Sequence, residues 1–213
     1  MKQLSKEPLN LIIGGVGGQG NVLMAQLVGQ ALVQRGLTAS VGDTYGVSQR
    51  GGPVASHVRI SRDRSYGPLI PAGQADVILT LEPAEALRLL SELGSPTTIV
   101  VTNSRPVYPP DVSSGRATYP ALQDLFGALK RFSAGCTVVD ASAEALAMGD
   151  PIFTNIVMLG VLVGADVAPL ERKDMAGVLA DRFKGAVLER NLEALDRGIA
   201  LVHGAHAPAG GKC

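Results

Sequence analysis

The sequence predicts an α/β fold, a three-layer α/β/α Rossmann-like sandwich with a mostly parallel sheet and a helical C-terminal part. Short apolar runs alternate with longer segments of helical spacing, which is the pattern of parallel strands covered by helices. Hydrophobic residues make up 46% of the chain and charged residues 18%, and Phe and Tyr number only four each. The core is therefore mainly aliphatic, as in most parallel sheets. We predict one domain over residues 1–213, with a frayed tail after about residue 203.

The first predicted unit is a strand, a glycine turn and a helix. Asn10 to Ile13 is a compact apolar run, and glycines dominate the segment that follows it. Helical spacing begins at Asn21 and is expected to stop at Gly36. A second strand at residues 38–43 completes a βαβ unit.

The middle of the chain continues this alternation. Helices are expected from Pro83 to Leu93, where proline suits the first turn, and around residues 122–132. The Pro-rich residues 105–120 are too broken for a regular element and predict a long surface connection. The remaining strands are predicted at residues 54–61, 77–81, 98–102 and 136–140.

The C-terminal part is predicted to be helical. Ser142 is expected to cap the first of these helices. Helical patterning then continues to about residue 202, with breaks near residues 150–151 and 168–169.

Charge, cysteine content and apolar patterning argue against several classes of protein. Nineteen basic and nineteen acidic residues give a net charge of zero, so we expect neither a nucleic acid nor a membrane as partner. Cys136 and Cys213 are too few for an iron-sulfur cluster or a disulfide framework, and no metal site is expected. Residues 1–8 lack the features of a signal peptide, and the apolar stretch 152–165 is too short to span a bilayer. We expect a cytoplasmic protein.

The glycine turn matches the dinucleotide-binding fingerprint through Gly15, Gly17 and Gly20, and it lies between a predicted strand and a predicted helix. With Gly18 and Gln19, these residues predict a phosphate-binding turn, because glycines allow close approach and the helix start favours anions. Asp43 lies near the position of an acidic ribose ligand. Alternatively, the glycines only allow close packing of strand and helix, and Asp43 is an ordinary residue of a strand-end turn.

A second polar loop follows the strand predicted at residues 38–43. It contains Ser48, Gln49, Arg50, Gly51 and Gly52. In a doubly wound sheet this loop lies at the same carboxyl edge as the glycine turn. Arg50 suits a bidentate clamp on a phosphate or carboxylate, although a solvated turn is an alternative. His57 and Arg59 share one face of the next strand, where a structural role for His57 is favoured over catalysis. We predict no catalytic residue.

Taken together, these segments resemble a known family. The other stretches that carry the resemblance are Ser56-His57-Val58-Arg59, residues 75–77 with 81–87, and Asn155 with Met158-Leu159-Gly160. The combination resembles the gamma domain of pyruvate and indolepyruvate ferredoxin oxidoreductases, over nearly the whole chain to about Val202. As a separate chain, it is most similar to the indolepyruvate oxidoreductase beta subunits.

The resemblance implies a small subunit, inactive alone, of a 2-oxoacid ferredoxin oxidoreductase acting on indolepyruvate or another aryl pyruvate. Thiamine diphosphate and iron-sulfur clusters are implied in the large catalytic partner, through which ferredoxin is reached. This chain is expected to bind no cofactor firmly, although the glycine turn and Asp43 form a candidate edge for the coenzyme A phosphates. Residues 48–52 with His57 and Arg59 are the candidate interface. The alternatives are a stand-alone NAD(P)- or flavin-binding oxidoreductase, or a nucleotide-sensing regulatory module.

Overall fold

The computed structural model describes residues 4–46 and 52–205, which fold around one six-stranded sheet. The strand order is β2-β3-β1-β4-β5-β6. Strands β1, β4, β5 and β6 pair in parallel, whereas β3 pairs antiparallel with both β1 and β2, so every strand except β3 runs in one direction. The strands are β1 Leu9–Val16, β2 Thr38–Tyr45, β3 Pro53–Ser61, β4 Val77–Thr80, β5 Ile99–Asn103 and β6 Gly135–Val139.

The antiparallel strand is the main departure from the predicted alternation. Residues 46–52 connect β2 to β3, and this connection is too short to hold the crossover that a parallel pair needs. The chain therefore turns back, and β3 lies between β2 and β1. The predicted mostly parallel sheet is confirmed, although the first two parallel strands are not neighbours.

Helices cover both faces of the sheet. The larger core contains apolar side chains of α1, α6, α7 and α8, while α2 and α4 pack on the opposite face against residues such as Ile78 and Val100. The three-layer sandwich is thus confirmed. The helices are α1 Asn21–Gln34, α2 Pro83–Leu93, α3 Pro110–Ser113, α4 Leu122–Phe132, α5 Ala141–Ala147, α6 Thr154–Gly164, α7 Arg172–Arg182 and α8 Gly185–Ala205.

The bounds of α2 and α4 match the sequence prediction, and the long connection at residues 105–120 contains only the single turn α3. The predicted cap of α5 was wrong. Asp140 is the N-cap, because its carboxylate accepts a hydrogen bond of 2.8 Å from the Ala143 N–H. Ser142 lies inside the first turn instead. The predicted break near residue 150 is confirmed, since a short 3₁₀ turn, Pro151–Phe153, precedes α6.

Helices α6 and α8 make an unusually close contact at two glycines. A methyl group built on Gly160 would lie 2.1 Å from the Leu195 carbonyl oxygen, and one on Gly198 would lie 1.9 Å from the Val157 carbonyl oxygen. The two backbones therefore touch where any side chain would separate them. Within residues 4–46 and 52–205, no helix is both long and apolar enough to cross a membrane.

Candidate functional site

The glycine turn joins the end of β1 to the start of α1. Gly18 and Gly20 have φ angles of 104° and 91°, which glycine adopts without steric cost. The Gln19 side chain closes the turn, since its Oε1 accepts a hydrogen bond of 2.7 Å from the Val16 N–H. The turn is therefore held in shape by its own sequence.

The amino end of α1 opens from this turn without a side-chain cap. Gly20 is the N-cap, and the first helical turn contains no acidic residue. The first N–H groups of a helix have no partner inside it and carry partial positive charge. This end of α1 is therefore suited to bind an anion.

Two buried amide side chains lie against the same turn. Asn21 is 3% exposed, and its Oδ1 has no hydrogen-bond partner among the described residues. Asn155, at the start of α6, is 8% exposed, and its Nδ2 would lie 2.4 Å from a methyl group on Gly20. Buried polar groups are nearly always hydrogen-bonded, so an unpartnered oxygen beside a helix terminus indicates a place for a ligand or water.

Asn155 is not among the site residues predicted from the sequence. It belonged to a segment that carried the family resemblance, but no local motif connected it with the glycine turn. Only the packing of α6 against α1 brings the two together.

Two depressions flank the glycine turn. The larger, a groove of about 560 Å³, lies between the turn and the start of α6, and the smaller, of about 380 Å³, lies beside Asn21 and Tyr45. A third, of about 280 Å³, lies beside Lys6 and Asp76 at the amino ends of β4 and β5, away from the turn. The groove lining includes Gly18, Gln19, Gly20, Leu81, Arg105, Val107, Ser142, Ile152 and Asn155.

A polar network forms the floor of the groove. The Leu81 carbonyl oxygen accepts hydrogen bonds from Gln19 Nε2 at 3.4 Å and from Asn103 Nδ2 at 3.3 Å. Asn103 Nδ2 also donates to Ser142 Oγ at 3.0 Å. The network links the carboxyl ends of β4 and β5 to the glycine turn and to the start of α5, so these four segments keep a fixed spacing.

The last residue of the second predicted loop, Gly52, lies at the same edge. Ser48, Gln49, Arg50 and Gly51 lie outside the described residues, but Gly52 is described and buried. Its carbonyl oxygen accepts a hydrogen bond of 2.8 Å from the Gly17 N–H. Gly52 therefore lies against the glycine turn, while the convergence of the rest of this loop on the same edge stays a prediction.

Asp43 is placed differently from a ribose ligand of the usual motif. Strand β2 continues two residues past it to Tyr45, so the prediction that Asp43 ends the strand was wrong. Its Oδ1 accepts a hydrogen bond of 2.5 Å from Ser56 Oγ. Because β3 lies between β2 and β1, Asp43 is separated from β1 by two strand spacings, which is about 10 Å. Its role in binding stays a prediction.

His57 and Arg59 hold the loop at residues 62–75 against the sheet. His57 is 4% exposed, and its Nδ1 accepts a hydrogen bond of 3.1 Å from the Ile70 N–H. Burial lowers the pKa of His57, which agrees with a neutral ring that accepts at Nδ1. Arg59 Nη1 donates to the Gly67 carbonyl oxygen at 3.1 Å. These contacts match the structural role favoured for His57, while the interface role of both residues stays a prediction.

Metal ligands are not clustered in the part of the chain that the structure describes. Among residues 4–46 and 52–205, no three His, Cys, Asp or Glu side chains are grouped so that they could hold a metal ion. The two cysteines of the whole sequence are also fewer than the four thiolates that an iron-sulfur cluster normally uses. The residues present therefore do not fit such a cluster.

These features define a class: a Rossmann-like α/β domain with a glycine turn, an open helix terminus and buried amides at one carboxyl edge. Solved structures share this fold. The pyruvate oxidoreductase subunit PORC of Thermotoga maritima is similar with a TM-score of 0.67 at 21% identity, over 92% of this chain and 97% of its own. The 2-oxoglutarate:ferredoxin oxidoreductase of Magnetococcus marinus is similar with a TM-score of 0.70 at 22% identity, over 94% of this chain but only 32% of its own.

Sequence comparison identifies the family. Residues 10–201 match the family model of pyruvate ferredoxin/flavodoxin oxidoreductase. The indolepyruvate oxidoreductase subunit IorB of Archaeoglobus fulgidus is 38% identical over 190 residues, covering 89% of this chain and 93% of its own length. The chain therefore belongs to the pyruvate ferredoxin/flavodoxin oxidoreductase family.

Proposed function

We propose that the chain is the small subunit of a 2-oxoacid:ferredoxin oxidoreductase that oxidatively decarboxylates indolepyruvate or another aryl pyruvate to an acyl-CoA. The similarity to an indolepyruvate oxidoreductase subunit over almost its full length supports the subunit role and the aryl substrate. The cytoplasmic location stays a prediction.

The proposal assigns the redox chemistry to a large partner subunit. Thiamine diphosphate and the iron-sulfur clusters belong there, and electrons leave that subunit for ferredoxin. The relative from Magnetococcus marinus supports this division, because the region similar to this chain is only 32% of a much longer polypeptide. The small subunit then contributes binding surface, and its glycine edge with the loop at residues 48–52 packs against the partner near the active site.

Coenzyme A is the ligand that the glycine edge would take. The amino end of α1 offers unpaired N–H groups to a phosphate. Asn155 adds an amide that can donate through Nδ2, and it lies against Gly20 in the wall of the groove. The observation that carries the proposal is this pairing of an open helix terminus with the buried Asn155 amide that packs against Gly20.

Stand-alone dinucleotide binding has less support. In the usual motif an acidic side chain at the end of the strand next to β1 binds the ribose. Here β3 occupies that neighbouring position, and Asp43 is bonded to Ser56. The geometry therefore favours a phosphate edge over a complete dinucleotide site.

The test is steady-state kinetics of the complex formed with the large subunit. Asn155→Ala is expected to raise the KM for coenzyme A about tenfold, since it removes a hydrogen bond to a charged group, while kcat at saturating coenzyme A changes little. Asn191→Ala is the matched control, because Asn191 is equally buried but donates within its own helix to the Val187 carbonyl oxygen at 2.8 Å. An unchanged KM in Asn155→Ala contradicts the proposed coenzyme A edge.

A second experiment addresses assembly. Arg50→Ala is expected to weaken co-purification of the two subunits, because this loop is assigned to their interface. Turnover of a 2-oxoacid by the small subunit alone contradicts the subunit role as a whole.

A further inference from the structure

The connection from β5 to α4, residues 104–121, lies beside the groove; we call it the flap. Most of its residues are exposed. Two of them, Arg105 and Val107, nevertheless line the groove together with the glycine turn and Asn155. The position of the flap therefore determines the distance between Arg105 and the candidate phosphate edge.

A single buried carboxylate ties the flap to the sheet. Glu82 follows the end of β4 and is 2% exposed. Its Oε1 accepts a hydrogen bond from Tyr119 Oη, and its Oε2 accepts one of 2.8 Å from the Glu85 N–H at the start of α2. The ring of Tyr119 also contacts Tyr108, which lies near the other end of the flap, at 5.2 Å between centroids. Glu82 thus holds one end of the flap directly and is linked to the other end through Tyr119.

Helix capping alone does not explain a glutamate at this position. Ser, Thr, Asp or Asn would cap α2 with a shorter side chain and less buried charge. Burial raises the pKa of Glu82, and among the described residues its partners are N–H and O–H donors rather than a lysine or arginine. A buried carboxylate without a cation is costly. The longer side chain gains the contact with Tyr119, which a short cap could not reach.

We propose that Glu82 and Tyr119 latch the flap and so act as positioning residues that hold Arg105 at the mouth of the groove. The role of Arg105 toward a ligand rests on the proposed function, in which the groove takes the phosphates of coenzyme A. The latch itself rests only on the hydrogen bond between Tyr119 and Glu82 and on the ring contact between Tyr119 and Tyr108.

Tyr119→Phe in the assembled oxidoreductase tests the latch. The ring of Tyr119 makes an edge-to-face contact with Tyr108, at 5.2 Å between centroids, and phenylalanine preserves it while removing the O–H donor. Amide hydrogen exchange in residues 104–121 is expected to become about tenfold faster. Tyr108→Phe removes a hydroxyl from the neighbouring ring and is expected to leave the exchange unchanged. Glu82→Gln keeps an acceptor for Tyr119 and is expected to give a smaller increase.

The kinetic readout tests the positioning role. Tyr119→Phe is expected to raise the KM for coenzyme A about three- to tenfold without lowering kcat at saturating coenzyme A, because one hydrogen bond that orders Arg105 is lost. Unchanged exchange in Tyr119→Phe refutes the latch. Faster exchange with an unchanged KM, in an enzyme whose KM does respond to Asn155→Ala, refutes the positioning role and leaves the proposed function intact. If Asn155→Ala has no effect either, the proposed coenzyme A edge fails and the positioning role fails with it.

Discussion

Replacing Gly160 by alanine probes the tightest helix contact of the fold. The new Cβ would lie 2.1 Å from the Leu195 carbonyl oxygen and 2.9 Å from Gly198 Cα. Ordinary van der Waals contact begins near 3.4 Å, so α6 and α8 must separate by more than 1 Å at their crossing. Backbone atoms of α8 form this obstacle, and they cannot rotate away as a side chain could.

The cost of the separation follows from what α6 buries. Every residue from Asn155 to Val163 is buried, so a shift of the helix disturbs packing on all sides. Overpacking of a dense core costs about 1–3 kcal/mol, and a clash with backbone lies at or above the top of that range. We expect a loss of about 3 kcal/mol. For a chain of this size that loss lowers Tm by about 6–12 °C.

Thermal unfolding followed by circular dichroism measures this effect. The matched control is Gly127→Ala in α4, where an added methyl group meets nothing within 4 Å. Because alanine favours helix over glycine, this control is expected to gain about 0.5–1 kcal/mol. A Gly160→Ala variant that unfolds within 2 °C of the parent would show that the close contact between α6 and α8 is not required.

Two further predictions concern buried ionisable groups. Since burial lowers the pKa of His57, the unfolded chain binds more protons than the folded one below about pH 6.5, so stability should fall as the pH drops from about 7 to 5. Denaturant unfolding at several pH values should show that the free energy of unfolding changes less with pH in His57→Asn than in the parent protein. Equal slopes in the two proteins would exclude His57 as the cause. The Arg35 side chain is 7% exposed and joins the end of α1 to Glu171 and Asp174 at the start of α7. Arg35→Met leaves Asp174 without its cation and should lower the free energy of unfolding by about 3 kcal/mol. Adding Asp174→Asn should recover part of this loss. A loss below about 0.5 kcal/mol in the single variant contradicts the prediction.

The local elements could be predicted closely from the sequence. Pro83 at the start of α2 and Gly94 after its end fix that helix, because proline and glycine act on the backbone within a few residues. The glycine turn was predicted for the same reason. The cap of α5 was assigned wrongly, since two polar residues near its start can each cap a helix and only the geometry selects Asp140.

The candidate site was predicted only in part. Its glycine turn has a sequence signature, whereas Asn155 comes from a segment more than 130 residues further along the chain. The latch formed by Glu82 and Tyr119 has no signature either, because a glutamate before a helix and a tyrosine in a loop are common and separately uninformative. Their hydrogen bond depends on how the flap folds back over the sheet.

The sequence by itself determined the α/β class, the position of most helices and strands, and the turn at which an anion can approach α1. These follow from periodicity and from backbone preferences of glycine and proline, which act over short distances. The tertiary structure alone decided that β3 separates β2 from β1, that Asn155 lies against Gly20, and that Glu82 holds the flap. These features depend on contacts between distant segments, which form only when the whole core packs.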